Sequence, residues 1–300
     1  MRNILFFGAT GKLGRIWIKS LIKNNKIYAN LYKKKILEKK KNFSLIKFNL
    51  KKKDTIFEFC KKKKITMIIN CVGLSDVELS QKKSHLAKEL NYYIPIKLCK
   101  IAKKMRISFV HISTDMLFDG KSSKRYNENS QYFALNNYSK TKINAEKNIS
   151  LYEKSLIVRT NFFGIGTKEN PTFSDNILNT SSNKKIKIWK NIFFNPVYLS
   201  ILIKILNQLI KNNLKGIYQI SSNQCISKYI LGKKILKKFK SNKFLIPTNF
   251  NKKKFTNRPL NMCLSNNKLL KKFPNLRKKL NFEYQLNLYK REISKNEKKN

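Results

Sequence analysis

Short apolar runs alternate with amphipathic stretches along the first 165 residues, and this alternation restricts the fold more than any other feature. The apolar runs are NILFFGA, KIYANLY, SLIKFNL, ITMIINCVG, ISFVHIST and SLIVRTNFF. Helical periodicity marks GRIWIKSLIKN, DTIFEFCKKK, SHLAKELNYYIPIKLCKIAKKM and YSKTKINAEKNIS, which lie between them. Strands that are apolar almost throughout are typical of a parallel sheet covered on both faces by helices. The sequence therefore predicts an α/β protein with a Rossmann-type doubly wound parallel sheet.

The alternation of strand and helix patterns becomes less regular after residue 165. GIGTKENPTFSDNILNTSSN is rich in loop residues, whereas NPVYLSILIKILNQLIKN and ISKYILGKKILKKF predict helices and GIYQISS predicts a strand. The remainder from Leu245 is interpreted as short strands and turns. We expect a large domain over residues 1–165, to which 195–224 return, and a smaller C-terminal substrate-binding region over 166–194 and 225–300.

The net charge of +50 raises the question of nucleic-acid binding. The excess is almost entirely lysine and is spread along the whole chain, and Phe, Ile, Asn and Tyr are abundant with it. An AT-rich genome produces this composition, so we expect no specific nucleic-acid partner. The alternative, a lysine-rich nucleic-acid-binding protein, predicts a DNA affinity that falls steeply with salt.

Cysteine and histidine usage limits the chemistry further. The five cysteines are far apart and include no Cys-x-x-Cys pair, and only two histidines are present. This argues against a zinc site, a disulfide framework or a histidine-based triad, and it suits a reducing compartment. No apolar run approaches the ~18 residues of a membrane helix, and a glycine interrupts the first run too early for a signal peptide. We expect no metal, no membrane association and a cytoplasmic location.

The segment FFGATGKLG places Gly8, Gly11 and Gly14 between the first predicted strand and the first predicted helix. Binding of a dinucleotide pyrophosphate requires a tight turn, close approach of the backbone, and a helix N-terminus that points at the phosphates. This glycine triplet follows a strand and opens a helix, which is the context that the fingerprint requires. We predict a dinucleotide site here, with a purely structural glycine turn as the alternative.

The stretch NLYKKK follows the second predicted strand and contains no carboxylate. In NAD-binding proteins an acidic residue about 20 residues after the glycines binds the ribose 2′-hydroxyl, whereas a basic residue accommodates the 2′-phosphate of NADP. The sequence therefore favours NADPH, with NADH possible.

Three tyrosines precede a lysine by four residues: Tyr93/Lys97, Tyr138/Lys142 and Tyr229/Lys233. In a chain so rich in lysine the spacing alone carries no information. Only Tyr138 is preceded in the expected register by a strand-end hydroxyl, Thr114 in HISTD. On a helix, Tyr138 and Lys142 lie on one face. A hydroxyl, a tyrosine and a lysine in this order resemble the catalytic set of short-chain dehydrogenases/reductases.

The resemblance is closer still to dTDP-4-dehydrorhamnose reductase and its sugar-nucleotide relatives. Its blocks are IINCVGLSDVE, HISTDMLFDG, ALNNYSKTKINAE, LIVRTNFFG, GIYQISSNQCISKY and RPLNMCLSNNKL, and they extend to about Leu269. Asn91 also falls where this family carries an asparagine. The combination of STD…FDG with the tyrosine–lysine segment is the most specific part of the match.

The resemblance implies a role for individual residues. Contacts to the cofactor pyrophosphate are implied for the first turn: Gly8, Thr10, Gly11, Lys12, Leu13 and Gly14. Contacts further along the cofactor are implied for Asn49 and Leu50 at the adenine and for Gly73, Leu74 and Ser75 at the ribose. At the reacting sugar the implied residues are Thr114, Asp115, Tyr138 and Lys142, the last two also touching the cofactor.

Two positions depart from the family pattern. The run Arg159-Thr160-Asn161-Phe162 stands where the rhamnose enzymes often have Arg-Thr-Ser-Trp, so Phe162 takes the place of a tryptophan at the nucleotide sugar. This leaves the identity of the sugar open. Asn49 replaces an aspartate, which affects the adenine contacts and not the reaction.

The resemblance implies reduction of a 4-keto sugar nucleotide by NADPH, with dTDP-4-dehydrorhamnose as substrate and dTDP-rhamnose as product, for polysaccharide biosynthesis. Tyr138 would donate a proton, Lys142 would lower the pKa of the tyrosine, and Thr114 would orient the carbonyl. The protein is expected to be a monomer or homodimer. The alternative is a catalytically silent NADP-binding scaffold that resembles the regulatory subunit of methionine adenosyltransferase.

Overall fold

A computed structural model describes residues 1–31, 42–48, 55–166, 171–181 and 185–297 of the chain. It contains two compact units. The first unit is built from Met1–Ser113, Asn136–Val158 and Leu206–Ile217. The second is built from Thr114–Leu135, Arg159–Ile205 and Tyr218–Asn300. The assignment of a cofactor role and a substrate role to the two sequence regions stays a prediction.

The described strands, numbered in chain order, are β1 (Arg2–Phe7), β2 (Asn25–Asn30), β3 (Phe43–Ile46), β4 (Met67–Asn70), β5 (Ser108–Ile112), β6 (Ser155–Thr160), β7 (Phe162–Phe163), β8 (Ile186–Trp189), β9 (Phe193–Phe194), β10 (Val197–Tyr198), β11 (Gly216–Ile220), β12 (Ile226–Ser227) and β13 (Leu245–Thr248). Seven of these strands form one sheet in the order β11-β6-β5-β4-β1-β2-β3. The pairs from β3 to β6 are parallel. The predicted Rossmann-type parallel sheet is confirmed.

The described helices are α1 (Lys12–Leu21), α2 (Thr55–Lys62), α3 (Val77–Lys82), α4 (Ser84–Lys88), α5 (Ile94–Lys104), α6 (Asn137–Ile149), α7 (Phe173–Asn179), α8 (Leu199–Lys211), α9 (Lys228–Lys238), α10 (Asn267–Lys272), α11 (Leu276–Lys279) and α12 (Phe282–Glu297). A π-helical turn, Glu89–Tyr93, separates α4 from α5. The sequence predicted one continuous helix here. Such a turn inserts an extra residue into a helix and is frequent at functional sites.

The strands of the first unit are apolar because both faces of the sheet are covered. Ile4, Leu5, Phe6 and Phe7 in β1 are fully buried. One core cluster joins Leu5 and Phe7 to side chains of β4, β5, α2, α5 and α6. On α1, Trp17 packs edge-on against Phe6, with ring centroids 5.7 Å apart. This two-sided burial is the physical reason for the uninterrupted apolar runs in the sequence.

The second unit contains two-stranded sheets and more helix than the sequence suggested. Its sheets pair β10 with β7, β12 with β9, and β13 with β8. The segment interpreted as loop contains α7, which begins with a capping box between Thr172 and Asp175. The Thr172 hydroxyl accepts from the Asp175 backbone N–H, and the Asp175 carboxylate accepts from the Thr172 backbone N–H. Two backbone donors at the helix start are therefore satisfied.

The interpretation of the tail from Leu245 as short strands and turns is wrong, since α12 alone covers 16 residues. The buried positions Phe282, Leu286 and Tyr289 are spaced by four and three residues, so they form one apolar face. Phe282 and Tyr289 each lie 5.8 Å from the ring of Phe163. Polar residues between these positions, Glu283, Gln285 and Asn287, obscure the helical pattern in the sequence.

The spacing of the cysteines argued against disulfides, but the structure contains one. Cys225 and Cys263 form a disulfide in the structure, with their Cα atoms 5.8 Å apart. That separation lies in the usual range for a bridge. The two residues are separated by 38 positions in the sequence, so their proximity follows from tertiary structure alone. Within the part of the chain that the structure describes, no helix is long and apolar enough to cross a membrane.

The turn between β1 and α1 generates a stability prediction. A Cβ added at Gly14 would lie 2.1 Å from the carbonyl oxygen of Gly8, whereas one added at Gly11 would lie 3.3 Å from the same oxygen. We expect Gly14→Ala to lower the free energy of unfolding by about 2 kcal/mol or more, because the clash is with backbone. Gly11→Ala is expected to cost about 1 kcal/mol or less, mainly through the weaker N-cap. Urea unfolding of both variants measures the difference, and equal losses would contradict the packing argument.

Candidate active site

The turn from β1 to α1 brings the backbone of three segments together. Gly8 has φ +86°, in the left-handed region that favours glycine, and a Cβ there would lie 2.6 Å from the carbonyl carbon of Cys71. The Gly11 N–H donates to the Gly8 carbonyl at 3.1 Å. α1 starts at Lys12, and its N-cap Gly11 has no side chain to cap the first turn. The turn thus leads into a helix N-terminus that has no side-chain cap, an arrangement suited to a phosphate group.

A second segment of the candidate site follows β4. The Asn91 side chain, in the π-helical turn, accepts from the Leu74 N–H at 2.8 Å and donates to the Leu74 carbonyl at 3.2 Å. The same amide lies 3.2 Å from the hydroxyl of Thr141 on α6. A Cβ at Gly73 would lie 3.1 Å from the Asn91 side-chain oxygen. Asn91 therefore fixes the Gly73–Ser75 segment, in which Ser75 remains exposed.

Tyr138 and Lys142 lie one turn apart on α6, on its buried face. Asn136 caps the helix by accepting from the Ser139 N–H at 2.8 Å. The helix therefore starts just before Tyr138, which keeps the tyrosine in the first turn. Tyr138 is 8% exposed and Lys142 is 4% exposed. The pair is thus not part of an exposed helix face.

Lys142 reaches from α6 to the end of β5. Its ammonium nitrogen Nζ lies 2.8 Å from the Ile112 carbonyl oxygen and 3.3 Å from His111 Nε2. Burial lowers the pKa of Lys142 to about 8, although Glu146 and Cys71 act in the opposite direction. Burial and the neighbouring lysine charge also lower the pKa of His111 well below its usual range, so His111 is neutral.

Thr114 and Asp115 open the second unit. The Thr114 hydroxyl lies 3.3 Å from a carboxylate oxygen of Asp115, whose other oxygen accepts from the Asn161 amide at 2.9 Å. Burial raises the pKa of Asp115 to about 6, although Asn161, Thr114 and the charge of Lys228 lower it. Asp115 is only 2% exposed. Its carboxylate bonds the side chains of Thr114 and Asn161, and its implied contact with the sugar stays a prediction.

A cation–aromatic cluster in the same unit was not found from the sequence. Lys228 Nζ lies 4.9 Å and the Arg258 guanidinium carbon 4.8 Å from the centre of the Trp189 ring. Phe250 packs edge-on against Trp189, with centroids 5.2 Å apart. Burial and the charge of Arg258 lower the pKa of Lys228 to about 8, against the effect of Asp115. Two cations lie beside an aromatic ring, so the cluster is suited to an anionic ligand that bears an aromatic ring.

The end of β6 contains a structural residue, Arg159, and β7 contains a candidate functional residue, Phe162. Arg159 is fully buried, and its guanidinium donates to the Tyr132 hydroxyl at 2.6 Å and to the Glu128 carbonyl at 3.2 Å. It is a structural residue of the second unit. Phe162 lies in β7, half-buried, next to the buried Phe163.

The structure thus places the sequence-predicted residues in several groups. In the first unit, Gly8, Thr10, Gly11, Lys12, Leu13 and Gly14 form the first turn, Gly73, Leu74 and Ser75 follow β4, and Tyr138 and Lys142 share α6. In the second unit lie Thr114, Asp115 and Phe162. The predicted adenine contacts Asn49 and Leu50, and the lysines of NLYKKK, lie outside the described residues.

A parallel sheet with a glycine turn after its first strand, and a tyrosine–lysine pair on the buried face of the helix before β6, defines the extended short-chain dehydrogenases/reductases, which are NAD(P)H-dependent oxidoreductases. Within that class, the family described as the RmlD substrate binding domain matches residues 1–291. The chain belongs to this family.

Individual relatives agree with this assignment. The chain is 27% identical over 289 residues to a dTDP-4-dehydrorhamnose reductase of Aggregatibacter actinomycetemcomitans, covering 91% of this chain and 94% of the relative. It is 25% identical over 240 residues to methionine adenosyltransferase 2 subunit beta of Xenopus laevis, covering 76% and 69% of the two chains. Both relatives were expected from the residue motifs.

Solved structures share the fold. A dTDP-4-dehydrorhamnose reductase from Clostridium acetobutylicum superposes with a TM-score of 0.78 at 23% identity, over 97% of this chain and 99% of that chain. A dTDP-4-dehydrorhamnose reductase from Bacillus anthracis, solved in complex with NADP, superposes with a TM-score of 0.77 at 20% identity, over 91% and 94%.

Asn91 generates a prediction for this site. Asn91→Leu leaves the Leu74 backbone and the Thr141 hydroxyl without their side-chain partner, and a buried unsatisfied polar group costs about 1–3 kcal/mol. We expect a lower free energy of unfolding and faster amide hydrogen exchange confined to residues 72–76. Asn148→Leu, at an exposed position on α6, is the control and is expected to change neither. Unchanged exchange in Asn91→Leu would show that the amide does not fix the segment.

Proposed function

We propose that the protein reduces a 4-keto sugar nucleotide with NADPH, with dTDP-4-dehydrorhamnose as substrate and dTDP-rhamnose as product, in the biosynthesis of surface polysaccharides. The observation that carries the proposal is the buried pair Tyr138 and Lys142 on α6, with Lys142 bonded to the end of β5. The full-length similarity to a dTDP-4-dehydrorhamnose reductase supports the same substrate class.

The cofactor proposal rests on the fit of the first turn. A Cβ at Gly8 or Gly14 would clash with backbone, and the N-cap Gly11 adds no side chain at the start of α1, which supports binding of a pyrophosphate at this helix N-terminus. Gly11, Lys12 and Leu13 hold the pyrophosphate, and Gly73, Leu74 and Ser75 line the ribose. A bound NADPH supplies the hydride. A related reductase was solved with NADP, which supports NADPH over NADH.

Tyr138 is the proton donor in this proposal. As the carbonyl oxygen of the substrate gains negative charge, the tyrosine hydroxyl transfers its proton to that oxygen. A free tyrosine has a pKa of about 10, too high for efficient transfer near neutrality. The positive charge of Lys142, one turn along α6, stabilises the phenolate and lowers that pKa. Thr114 supplies a second hydroxyl donor to the carbonyl oxygen.

The cation–aromatic cluster is proposed to bind the nucleotide of the substrate. Lys228 and Arg258 provide charge-assisted hydrogen bonds to a diphosphate, and Trp189 and Phe250 provide apolar faces beside it. This arrangement favours a nucleoside diphosphate over a neutral sugar. Phe162, where relatives carry a tryptophan, contacts the sugar and contributes to its selection.

A catalytically silent scaffold is the second candidate, because methionine adenosyltransferase 2 subunit beta is a relative at 25% identity. A scaffold retains cofactor affinity but consumes none with any 4-keto sugar nucleotide. The buried Tyr138 and Lys142 favour the enzyme, since a scaffold has no need to exclude water from this pair. A cytoplasmic location and a monomeric or homodimeric state remain part of the proposal.

The proposed function is tested by NADPH oxidation with dTDP-4-dehydrorhamnose. We expect Tyr138→Phe to lower kcat/KM by about 10²–10⁴-fold, the usual effect of losing a general acid. Tyr93→Phe is the matched control, since Tyr93 also precedes a lysine by four residues but is 60% exposed, and it is expected to retain full activity. NADPH binding without turnover of any 4-keto sugar nucleotide would favour the scaffold, and no NADPH binding would contradict both candidates.

The diphosphate site is tested separately by comparing dTDP with thymidine as inhibitors. Removing a charge-assisted hydrogen bond costs about 1.5–3 kcal/mol, so Lys228→Met is expected to raise KM for the sugar nucleotide about ten- to hundredfold. The Kd of NADPH is expected to stay unchanged. Lys233→Met, an exposed lysine on the same helix, is the control. Equal loss of dTDP and thymidine affinity in Lys228→Met would contradict a role in binding phosphate.

A further inference from the structure

Two polar side chains, Asn70 and His111, lie in a row beneath Lys142, and the proposed function uses only the lysine. Asn70 ends β4, and His111 is its partner in the parallel register with β5. The Asn70 amide nitrogen lies 3.0 Å from His111 Nδ1, and His111 Nε2 lies 3.3 Å from Lys142 Nζ. Asn70 and His111 are fully buried and Lys142 nearly so. The chain thus contains a buried Asn70–His111–Lys142 relay.

The orientation of the Asn70 amide is fixed by the backbone. Its oxygen Oδ1 accepts from the Val72 N–H at 3.0 Å, so a rotated amide would place two N–H donors against each other. The amide nitrogen therefore faces His111, where it can only donate. His111 Nδ1 must then be the acceptor nitrogen of the ring.

The tautomer of His111 follows from this. A neutral imidazole carries one N–H and one acceptor nitrogen, and a charged imidazolium carries two N–H groups. With Nδ1 accepting from Asn70, the proton of the neutral ring lies on Nε2, which faces Lys142. An imidazolium is excluded because its Nδ1–H would oppose the Asn70 amide, and burial also disfavours it.

Lys142 consequently meets a donor where an ammonium group would need an acceptor. A neutral amine has a lone pair and accepts from His111 Nε2–H while donating to the Ile112 carbonyl, whereas an ammonium group has donors only. The fixed Nε2–H therefore weakens the hold of the Lys142 ammonium group on its proton, and the charged group becomes a stronger acid. Other titratable groups around Lys142 are Cys71 after β4, and Glu146 and Tyr138 on its own helix. A negative charge on Glu146 or Cys71 stabilises the ammonium form of Lys142 and so opposes the effect of His111 on that group.

We propose that Asn70 and His111 are positioning residues that promote proton release from Lys142, so that the lysine returns the proton that Tyr138 gives to the substrate. In this step the Lys142 N–H bond breaks, the tyrosine O–H bond re-forms, and the amine is later protonated by water. Transfer to the phenolate is favourable when the lysine is the stronger acid of the two, and the fixed Nε2–H acts in that direction. This role rests on the proposed reductase function, whereas the tautomer and the proton affinity of Lys142 do not.

The tautomer is tested without substrate. The chain has only two histidines, His85 and His111, and His85 is exposed on α4. Ring ¹⁵N NMR of the ¹⁵N-histidine-labelled protein, with His85→Gln to assign the remaining signal, is expected to show His111 neutral and protonated on Nε2 throughout the range in which a free histidine titrates. A proton on Nδ1, or an imidazolium in that range, would overturn the proposal.

The effect on Lys142 is tested by reversing the tautomer. In Asn70→Asp the carboxylate still accepts from the Val72 N–H but requires a proton on Nδ1, so Nε2 becomes an acceptor for the lysine. We expect Lys142, followed by its ¹³Cε shift with Lys142→Met as the blank, to titrate at a pH higher by about one unit or more. His111→Phe removes the Nε2–H without adding charge and is expected to shift the titration in the same direction.

Each variant is expected to move the pH–rate profile of NADPH oxidation by the amount that it moves the Lys142 titration. KM for the sugar nucleotide is expected to stay unchanged. A loss of structure alone lowers the rate at every pH and leaves the profile in place. A shift in Asn70→Asp but none in His111→Phe would show that added charge, and not the tautomer, controls Lys142. If no 4-keto sugar nucleotide turns over, the NMR titrations still decide the proposal about the relay.

Discussion

The parallel register of β1, β4 and β5 is the constraint on which the first unit depends. It aligns Phe7 with Asn70 and Asn70 with His111, so three strands end at the same edge of the sheet. The glycine turn after β1 and the segment fixed by Asn91 after β4 both start from that edge, and Lys142 bonds to the end of β5. A slip of one residue would turn each of these side chains to the other face. Two-sided apolar burial of the strands therefore holds the candidate site together.

Burial makes a few of the many cations chemically distinct. Most of the lysines that the structure describes are exposed, and water and salt largely screen their charge. Lys142 and Lys228 differ, because burial lowers the pKa of each to about 8. The first faces the end of β5 and the second lies beside Trp189 and Arg258. The high net charge thus contributes less to the proposed chemistry than two lysines placed by tertiary structure.

The sequence predicted what is local and periodic. The parallel strands, the glycine turn and the shared helix face of Tyr138 and Lys142 all follow from short patterns. The capping box at Thr172 and the spacing of Phe282, Leu286 and Tyr289 were also present in the sequence, but neighbouring loop residues and other polar residues obscured them. The pairing of Asn70 with His111, the cluster around Trp189 and the Cys225–Cys263 disulfide join distant segments. No local pattern specifies such contacts, because they depend on register and packing.

The central claim is hydride transfer to a sugar carbonyl, and isotope transfer tests it most directly. NADPH carrying deuterium at the transferable position of nicotinamide C4 is incubated with the protein and dTDP-4-dehydrorhamnose, and the product is analysed by mass spectrometry and NMR. The account predicts one deuterium at sugar C4, with one NADPH oxidised for each dTDP-rhamnose formed. Product without deuterium at C4, or saturating NADPH binding with no label transfer to any 4-keto sugar nucleotide, would contradict it.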